Sequence, residues 1–224
     1  MAARGDEVRQ RILWAAKDVF LELGFERASM DVLAARAATS KRTLYAHFEN
    51  KDALFLAVLD LAQSLYLGRL RTPGDYAQDR TEAVVLFCGR FLQLLLWEPA
   101  LRTCRLGIAE AERLPEASAR YFDAIFVTSQ DRLATFLRSE FSLTDAASAG
   151  IAEQLLARTI YPRLISTLYG VARPLTEKHE EDVLATDVDL TPIRRSVAGL
   201  LPPAADVSDA NGYALADAQK EPDA

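Results

Sequence analysis

Two short amphipathic segments joined by a tight turn lie between residues 29 and 48, and neither is long enough to fold alone. In the first segment, Val32, Leu33 and Ala37 share one helical face. Ser29, directly before it, is a favourable N-cap residue. The pattern predicts a helix of about two turns that ends near Ala38.

The second segment begins after Thr39 and Ser40, which interrupt the apolar pattern and offer a new helix cap. Leu44 and Phe48 then lie four residues apart on one face, and polar side chains occupy the other sides. Two such helices, completed by longer neighbours, form a helix-turn-helix, whose second helix fits the major groove of DNA. We therefore expect DNA binding from residues 40–47.

Longer amphipathic helices are predicted on both sides of this unit. Residues 6–23 carry an apolar stripe that Gly24 should stop, and Asn50 caps a further helix that runs to about Arg71. Pro162 should bend one of the later helices. The later helical patterns cover residues 78–97, 99–113, 115–140, 145–169 and 178–200.

These patterns predict an all-α fold with two folded domains. We expect an N-terminal helix-turn-helix DNA-binding domain at residues 1–52 and a C-terminal helical bundle for ligand binding and dimerisation at residues 53–201. The composition of residues 202–224 is typical of a disordered acidic tail. The turn from Thr72 to Asp75 is another position at which the chain could divide.

The net charge of −6 at first argues against nucleic acid, because phosphate binding depends on Lys and Arg. However, residues 1–60 contain nine basic and nine acidic residues, so the remainder carries the whole negative balance. Two cysteines and no signal peptide favour a reducing cytoplasm. The most apolar run, residues 91–97, is far too short for a membrane span.

The residues from Ser29 to Phe55 resemble the DNA-binding signature of the TetR/AcrR family of transcriptional regulators. The resemblance rests on Thr43-Leu-Tyr45, on His47-Phe48, and on Lys51 with Leu54. The turn departs from the family, which usually has glycine and a small branched apolar residue where this chain has Ala38 and Thr39. If that position needs a positive φ, alanine costs about 1 kcal/mol.

The run Ala109-Glu-Ala-Glu-Arg-Leu-Pro115 is similar to the C-terminal domain of an AefR-like subgroup. This resemblance implies a homodimer with a small-molecule pocket in the C-terminal helices. It also implies that ligand binding changes the spacing of the two recognition helices. Small residues and leucines between Ala146 and Leu168 would suit close packing of two helices across a two-fold axis.

Eight residues are expected to contact double-stranded operator DNA: Ser29, Ser40, Lys41, Arg42, Thr43, Tyr45, His47 and Lys51. Arg42 is suited to reading guanine through two hydrogen bonds, and Lys41 and Lys51 are suited to phosphates. The resemblance assigns Tyr45 and His47 to phosphate or a thymine methyl.

Five of these residues also have a purely structural interpretation. Arg42 could be a solvated surface side chain, and Lys51 could pair with Glu49 or Asp52. Tyr45 could cover the small core. The hydroxyls of Ser29 and Ser40 could serve only as helix caps.

Five aromatic residues of the second domain could line a pocket for a small effector: Phe91, Trp97, Phe122, Phe126 and Tyr161. Aromatic residues at helical spacing are also typical of an ordinary core face. These five residues could therefore belong to the core instead of lining a pocket. Cys88 and Cys104 are better explained as small buried apolar residues than as redox switches.

We predict a cytoplasmic transcriptional regulator, with repression more expected than activation and with release by an unidentified small-molecule effector. No Gly-rich phosphate loop, metal-spaced His or Cys cluster or nucleophile motif is found, so no enzyme activity, cofactor, metal or membrane partner is expected. The alternative is a helical ligand-binding or interaction module without sequence-specific DNA binding. The basic face at Lys41, Arg42 and Lys51 discriminates between the two.

Overall fold

A computed structural model describes residues 2–175 and 187–202, and the all-α prediction is confirmed for this part of the chain. The α-helices, in chain order, are α1 (Ala2–Arg27), α2 (Met30–Arg36), α3 (Lys41–His47), α4 (Lys51–Leu67), α5 (Arg80–Leu96), α6 (Glu98–Ala109), α7 (Pro115–Phe122), α8 (Thr128–Glu140), α9 (Asp145–Thr159), α10 (Tyr161–Leu168) and α11 (Thr191–Leu200). A 3-10 turn lies at Pro73–Asp75, and a π-helical segment at Asp123–Val127 joins α7 to α8. Among the described residues, no helix combines the length and apolarity that a membrane span requires.

The first four helices share a small core that explains why α2 and α3 fold at all. Phe20 and Phe25 of α1 and Phe55 of α4 are buried against one another, with ring centroids 5.2–5.9 Å apart. Leu33 of α2 and Leu44 of α3 complete this core and are almost fully buried. Burial of an apolar face against α1 and α4 compensates for the weak intrinsic stability of two seven-residue helices.

All three predicted helix caps are confirmed. The side-chain oxygen of each cap residue accepts a hydrogen bond from the backbone N–H three residues later, in the pairs Ser29 with Val32, Ser40 with Thr43, and Asn50 with Ala53. These bonds satisfy N–H groups that the first helical turn leaves without an intrahelical partner. They fix the starting points of α2, α3 and α4.

The turn between α2 and α3 contains a residue with the left-handed backbone conformation, in which alanine is less stable than glycine. Ala38 has a φ of 47°, and its N–H donates to the carbonyl of Ala35 while the N–H of Thr39 donates to that of Ala34. This is a Schellman motif, in which glycine is the favoured left-handed residue. Arg11 of α1 donates to the carbonyl of Ala37 at 3.2 Å and thereby satisfies one more group at the end of α2.

The remaining helices form a bundle around α5, which is buried along nearly all of its length. Its fully buried Arg90 donates to Gln93, and Gln93 donates to Asp187 at 3.0 Å. The chain returns beside the end of α5 at Leu175, which exchanges backbone hydrogen bonds with Leu96 and Glu98. Of these bonds, the one from Gln93 to Asp187 connects the two described stretches of chain.

Several predicted helix limits were wrong. The fourth helix ends at Leu67 rather than near residue 71, and residues 187–190 are not helical although a helix was expected over 178–200. The pattern over 115–140 contains the π-helical segment, which sequence periodicity does not reveal. Gly24 leaves helical geometry as expected, but a further turn continues to Arg27. The expected tail, apart from Pro202, lies outside the described residues.

Pro162 breaks the helix that was expected over 145–169. The chain leaves α9 after Thr159, and Pro162 occupies the first turn of α10, where its missing N–H costs no hydrogen bond. The bend was therefore predicted correctly. It allows α10 to turn toward α6 and α5.

We expect Ala38→Gly to raise the free energy of unfolding by roughly 0.5–1 kcal/mol, because glycine tolerates a positive φ that alanine does not. Ala35→Gly is the matched control, since Ala35 is exposed in the helical part of α2 and glycine there should be destabilising. Urea unfolding followed by circular dichroism measures both changes. Shifts of the same sign in the two variants would contradict the argument.

Candidate functional site

The third helix presents two chemically different faces. Leu44 is completely buried and Phe48, just after the helix, is nearly so. On the other side Lys41 and Arg42 are exposed, and Tyr45 keeps 45% of its surface accessible. The helix is therefore anchored by its apolar face and offers a cationic and aromatic face outward.

Arg42 is the exposed cation of this face with the greatest freedom. Within the described residues its guanidinium makes no hydrogen bond or ion pair. A guanidinium in this position has all its donors available for a planar acceptor pair such as guanine O6 and N7.

Lys41 is held by a neighbour on the preceding helix. Its ammonium lies 3.0 Å from the carboxylate of Asp31, and this hydrogen bond raises the pKa of Lys41. Both side chains are exposed, so the pair is weak in water. Contact with a phosphate would require Lys41 to leave Asp31 or to share its donors.

Most of the hydroxyl groups that were expected to contact DNA belong to helix-cap residues. Ser29 and Ser40 accept the cap hydrogen bonds, and the Ser40 hydroxyl is also 2.8 Å from that of Thr43. Because a hydroxyl that accepts one hydrogen bond still has a donor, capping does not prevent phosphate contact. His47 is half-buried in the last turn of α3.

Lys51 is engaged inside the protein rather than with either expected carboxylate. Its ammonium donates to the carbonyl of Phe25 at 3.0 Å and lies 4.0 Å from the centre of that ring. Its contacts therefore tie the start of α4 to the end of α1. A DNA phosphate could bind only the N–H donors of Lys51 that these contacts leave unused.

The Phe25 ring also contacts Arg113, a residue to which no sequence motif assigned a role. The Arg113 guanidinium carbon lies 3.6 Å from the ring centre, and its nitrogens bind Asp52 at 2.6 Å and Glu110 at 2.7 Å. Arg113 lies between α6 and α7, so this arrangement joins the first four helices to the C-terminal bundle. Phe25, Asp52 and Arg113 are far apart in the sequence and come together only when the chain folds.

Three of the five aromatic residues expected at a ligand site line one cavity. This cavity, called here the bundle cavity, has a volume of about 560 Å³ and is bounded by α6, α7, the π-helical segment and α10. Phe122, Phe126 and Tyr161 lie on its wall, and Phe122 is 52% exposed near its mouth. Its other walls are mostly apolar, and it suits an uncharged, hydrophobic molecule.

The structure separates the other two aromatic residues from this group. Phe91 is completely buried and contacts Tyr66, Phe87 and Phe126 as part of the core. Trp97 lines a second cavity of about 460 Å³, called here the cleft cavity, between α1, α4 and α6. Tyr121 borders both cavities.

The two cysteines are free and buried. Burial raises the pKa of the Cys88 thiol to about 12 and also raises that of Cys104, so both remain protonated near neutral pH. This supports their interpretation as small core residues. In the described part of the chain, no three His, Cys, Asp or Glu side chains are grouped to hold a metal.

Two known protein families match successive parts of the chain. Residues 12–58 match the bacterial regulatory proteins of the tetR family, and residues 82–191 match the AefR-like transcriptional repressor C-terminal domain. The first match contains the caps, the turn and the outward face of α3. The second contains all the residues that line the bundle cavity.

Curated relatives match over shorter stretches. The transcriptional activator FasR of Mycolicibacterium smegmatis is 43% identical over 86 residues, which are 37% of this chain and 39% of FasR. The regulator UidR of Escherichia coli is 41% identical over 73 residues, 33% of this chain and 37% of UidR. The matches thus span less than two fifths of the length of these relatives.

Solved structures share the fold over almost the whole length. The flavonoid-responsive regulator FrrA has a TM-score of 0.64 at 23% identity, covering 86% of this chain and 92% of FrrA. GusR of Salmonella enterica has a TM-score of 0.59 at 24% identity, covering 87% and 95%. At this level of identity the likeness establishes a common architecture.

We expect Lys51→Met to lower the free energy of unfolding by about 1–2 kcal/mol, because one cation–π contact and one hydrogen bond to a backbone carbonyl are lost. Lys41→Met is the control, since it removes the same charge from an exposed pair and should leave the unfolding midpoint nearly unchanged. Chemical denaturation of both variants provides the measurement. Equal midpoints for the two would show that the Phe25 contacts contribute nothing.

Proposed function

The chain belongs to the TetR family of bacterial regulatory proteins, and we propose that it is a sequence-specific DNA-binding transcriptional regulator. In this proposal residues 1–52 bind operator DNA, and residues 53–201 bind an effector and a second copy of the chain. Such a protein acts in the bacterial cytoplasm, where the chromosome lies.

The outward face of α3 is the observation that carries this proposal. It places the Arg42 guanidinium, the Tyr45 ring and the Lys41 ammonium on a short helix whose other face is fixed in a core. A helix of this size enters the major groove, and Arg42 offers the donor pair that guanine accepts. The Lys41 pair with Asp31 is weak enough to exchange for a phosphate.

A homodimer would supply the second recognition helix. In α9 the leucines Leu155 and Leu156 are buried within the protomer, whereas Ala149, Glu153 and Ala157 face outward. Ala149 and Ala157 are small, so this face would let two copies of α9 approach closely. Recognition helices about 34–36 Å apart would then meet successive major grooves of a palindromic operator.

The bundle cavity is the proposed effector site, and the segment between α6 and α7 is the proposed route to DNA. Ala111 and Pro115 line the cavity and flank Arg113, which contacts Phe25 and Asp52. A ligand that displaces this segment would move Arg113 against the first four helices. We propose that this movement releases a repressor from its operator.

The apolar wall of the bundle cavity favours a hydrophobic effector with few polar groups. The structural relative FrrA is described as flavonoid-responsive, which supports the idea that this architecture accepts aromatic compounds. Burial raises the pKa of Tyr121 well above its usual value, and the pKa of Tyr161 is also raised. Both tyrosines line the bundle cavity, and their phenols stay protonated at physiological pH.

Selection of bound fragments from a pool of random duplexes tests the main proposal. At near-physiological salt, we expect the full-length protein to enrich a palindromic sequence, because two related recognition helices read two related half-sites. A Lys41→Ala/Arg42→Ala double variant is the control and should enrich none. A folded protein without any enrichment would instead favour a helical ligand-binding module that does not read DNA.

Arg42→Ala should weaken the enriched operator by about 1–3 kcal/mol more than random DNA, since it removes a base contact. Lys41→Ala should weaken both DNAs and flatten the salt dependence by about one unit of slope, since it removes a phosphate contact. Arg195→Ala changes an exposed arginine of α11 and serves as the control. Fluorescence anisotropy at several salt concentrations measures all three. Equal losses on both DNAs from Arg42→Ala would refute base reading.

Sedimentation equilibrium tests the dimer, which should have twice the protomer mass of 24.7 kDa at micromolar concentration. Gly150→Leu should shift the protein toward the monomer, because it adds bulk to α9 where the protomer itself has open space. Gly5→Leu is the matched control, since that helical glycine also has open space around it. A monomeric wild-type protein, or equal effects of the two variants, would contradict this interface.

A further inference from the structure

The cleft cavity has walls from both functional parts of the chain. Trp14 and Lys17 of α1 lie on one side, and Trp97 and Pro99 lie on the side of α5 and α6. Its volume of about 460 Å³ falls within the range of small-molecule sites in proteins. It is distinct from the bundle cavity, which does not include α1 or α4.

Two indole rings make this cavity chemically specific. Trp14 and Trp97 are the only tryptophans of the chain, and both lie on its wall. Trp14 is 44% exposed, although tryptophan is usually mostly buried. One exposed aromatic ring needs no explanation by itself, but here it faces a cavity with a second indole and further apolar walls. Aromatic rings of this kind favour a planar aromatic guest.

The charges of the wall favour an anion. Lys17 is neutralised by Asp18 at 3.0 Å, so these two side chains together contribute no net charge. Arg69 remains, with its guanidinium carbon 5.4 Å from the centre of the Trp97 ring. Within the described residues no carboxylate pairs with Arg69, so the wall carries one uncompensated positive charge beside an indole face. A carboxylate can accept two parallel hydrogen bonds from such a guanidinium.

We propose that the cleft cavity is a second ligand site, separate from the proposed effector site, and that it binds planar aromatic carboxylates. The rings lie against Trp14 and Trp97, and the carboxylate pairs with Arg69. Because α1 and α6 both border this site, a bound acid contacts the DNA-binding part and the C-terminal bundle at once. Tyr121 separates it from the bundle cavity.

The two tryptophans provide a direct readout of this site. Full-length protein labelled with 5-fluorotryptophan gives one fluorine resonance for each indole, and Trp14→Phe assigns them. We expect titration with 2-naphthoate to shift both resonances in a saturable manner. The uncharged 2-naphthamide has nearly the same shape and should bind more weakly, because it cannot form the ion pair with Arg69.

Three variants test which of the two cavities binds 2-naphthoate. Arg69→Gln should weaken 2-naphthoate binding by about 10- to 100-fold, since a hydrogen-bonded charge pair is lost. Arg71→Gln removes the same charge two residues later and should leave the affinity unchanged. Ala119→Trp narrows the bundle cavity at an exposed position of α7 and should also leave it unchanged. Calorimetry measures these affinities, and circular dichroism establishes that each variant is folded.

Three results would overturn the proposal. Absence of any shift of either fluorine resonance at millimolar 2-naphthoate would show that the cavity does not bind such acids. Loss of binding in Ala119→Trp with retention in Arg69→Gln would place the ligand in the bundle cavity. Equal affinity for the acid and the amide would remove the assigned role of Arg69. An affinity of Arg69→Lys between those of the wild type and Arg69→Gln would instead support it, since that variant keeps the charge but not the paired donors.

Discussion

The contact on which the two parts of this molecule depend is that of two cations, Lys51 and Arg113, with the Phe25 ring. Lys51 covers one region of the ring at 4.0 Å and Arg113 another at 3.6 Å, while Phe20 and Phe55 pack against it from α1 and α4. Phe25 is buried beneath these two cations, which themselves remain partly exposed to solvent. The small core of α1 to α4 is thereby connected to the start of α7.

The short helices α2 and α3 depend on that core, since seven residues do not form a stable helix in water. Their caps and the Schellman turn set where each helix begins and ends, and burial of Leu33 and Leu44 keeps them folded. The exposed face of α3 is therefore positioned by side chains that never meet DNA.

Local features of the site could be predicted from sequence because they depend on neighbouring residues. Ser29, Ser40 and Asn50 were recognised as caps, and the cost of Ala38 follows from one backbone angle. Features that depend on packing could not be predicted. The contact of Arg113 with Phe25 spans most of the first half of the chain, and helical spacing cannot show that Phe91 is core while Trp97 borders a different cavity from Phe126.

Helix α6 borders both proposed ligand sites and also contacts the DNA-binding part. Near its start, Arg102 is held by Glu98 and reaches the carbonyl of Leu21 in α1 at 3.4 Å. Just beyond its end, Arg113 contacts Phe25. The bundle cavity and the cleft cavity both border α6. Because α6 and the segment that follows it contact α1 at Leu21 and Phe25, a displacement of this helix would change the support of the same small core, and a close-packed interior transmits such strain.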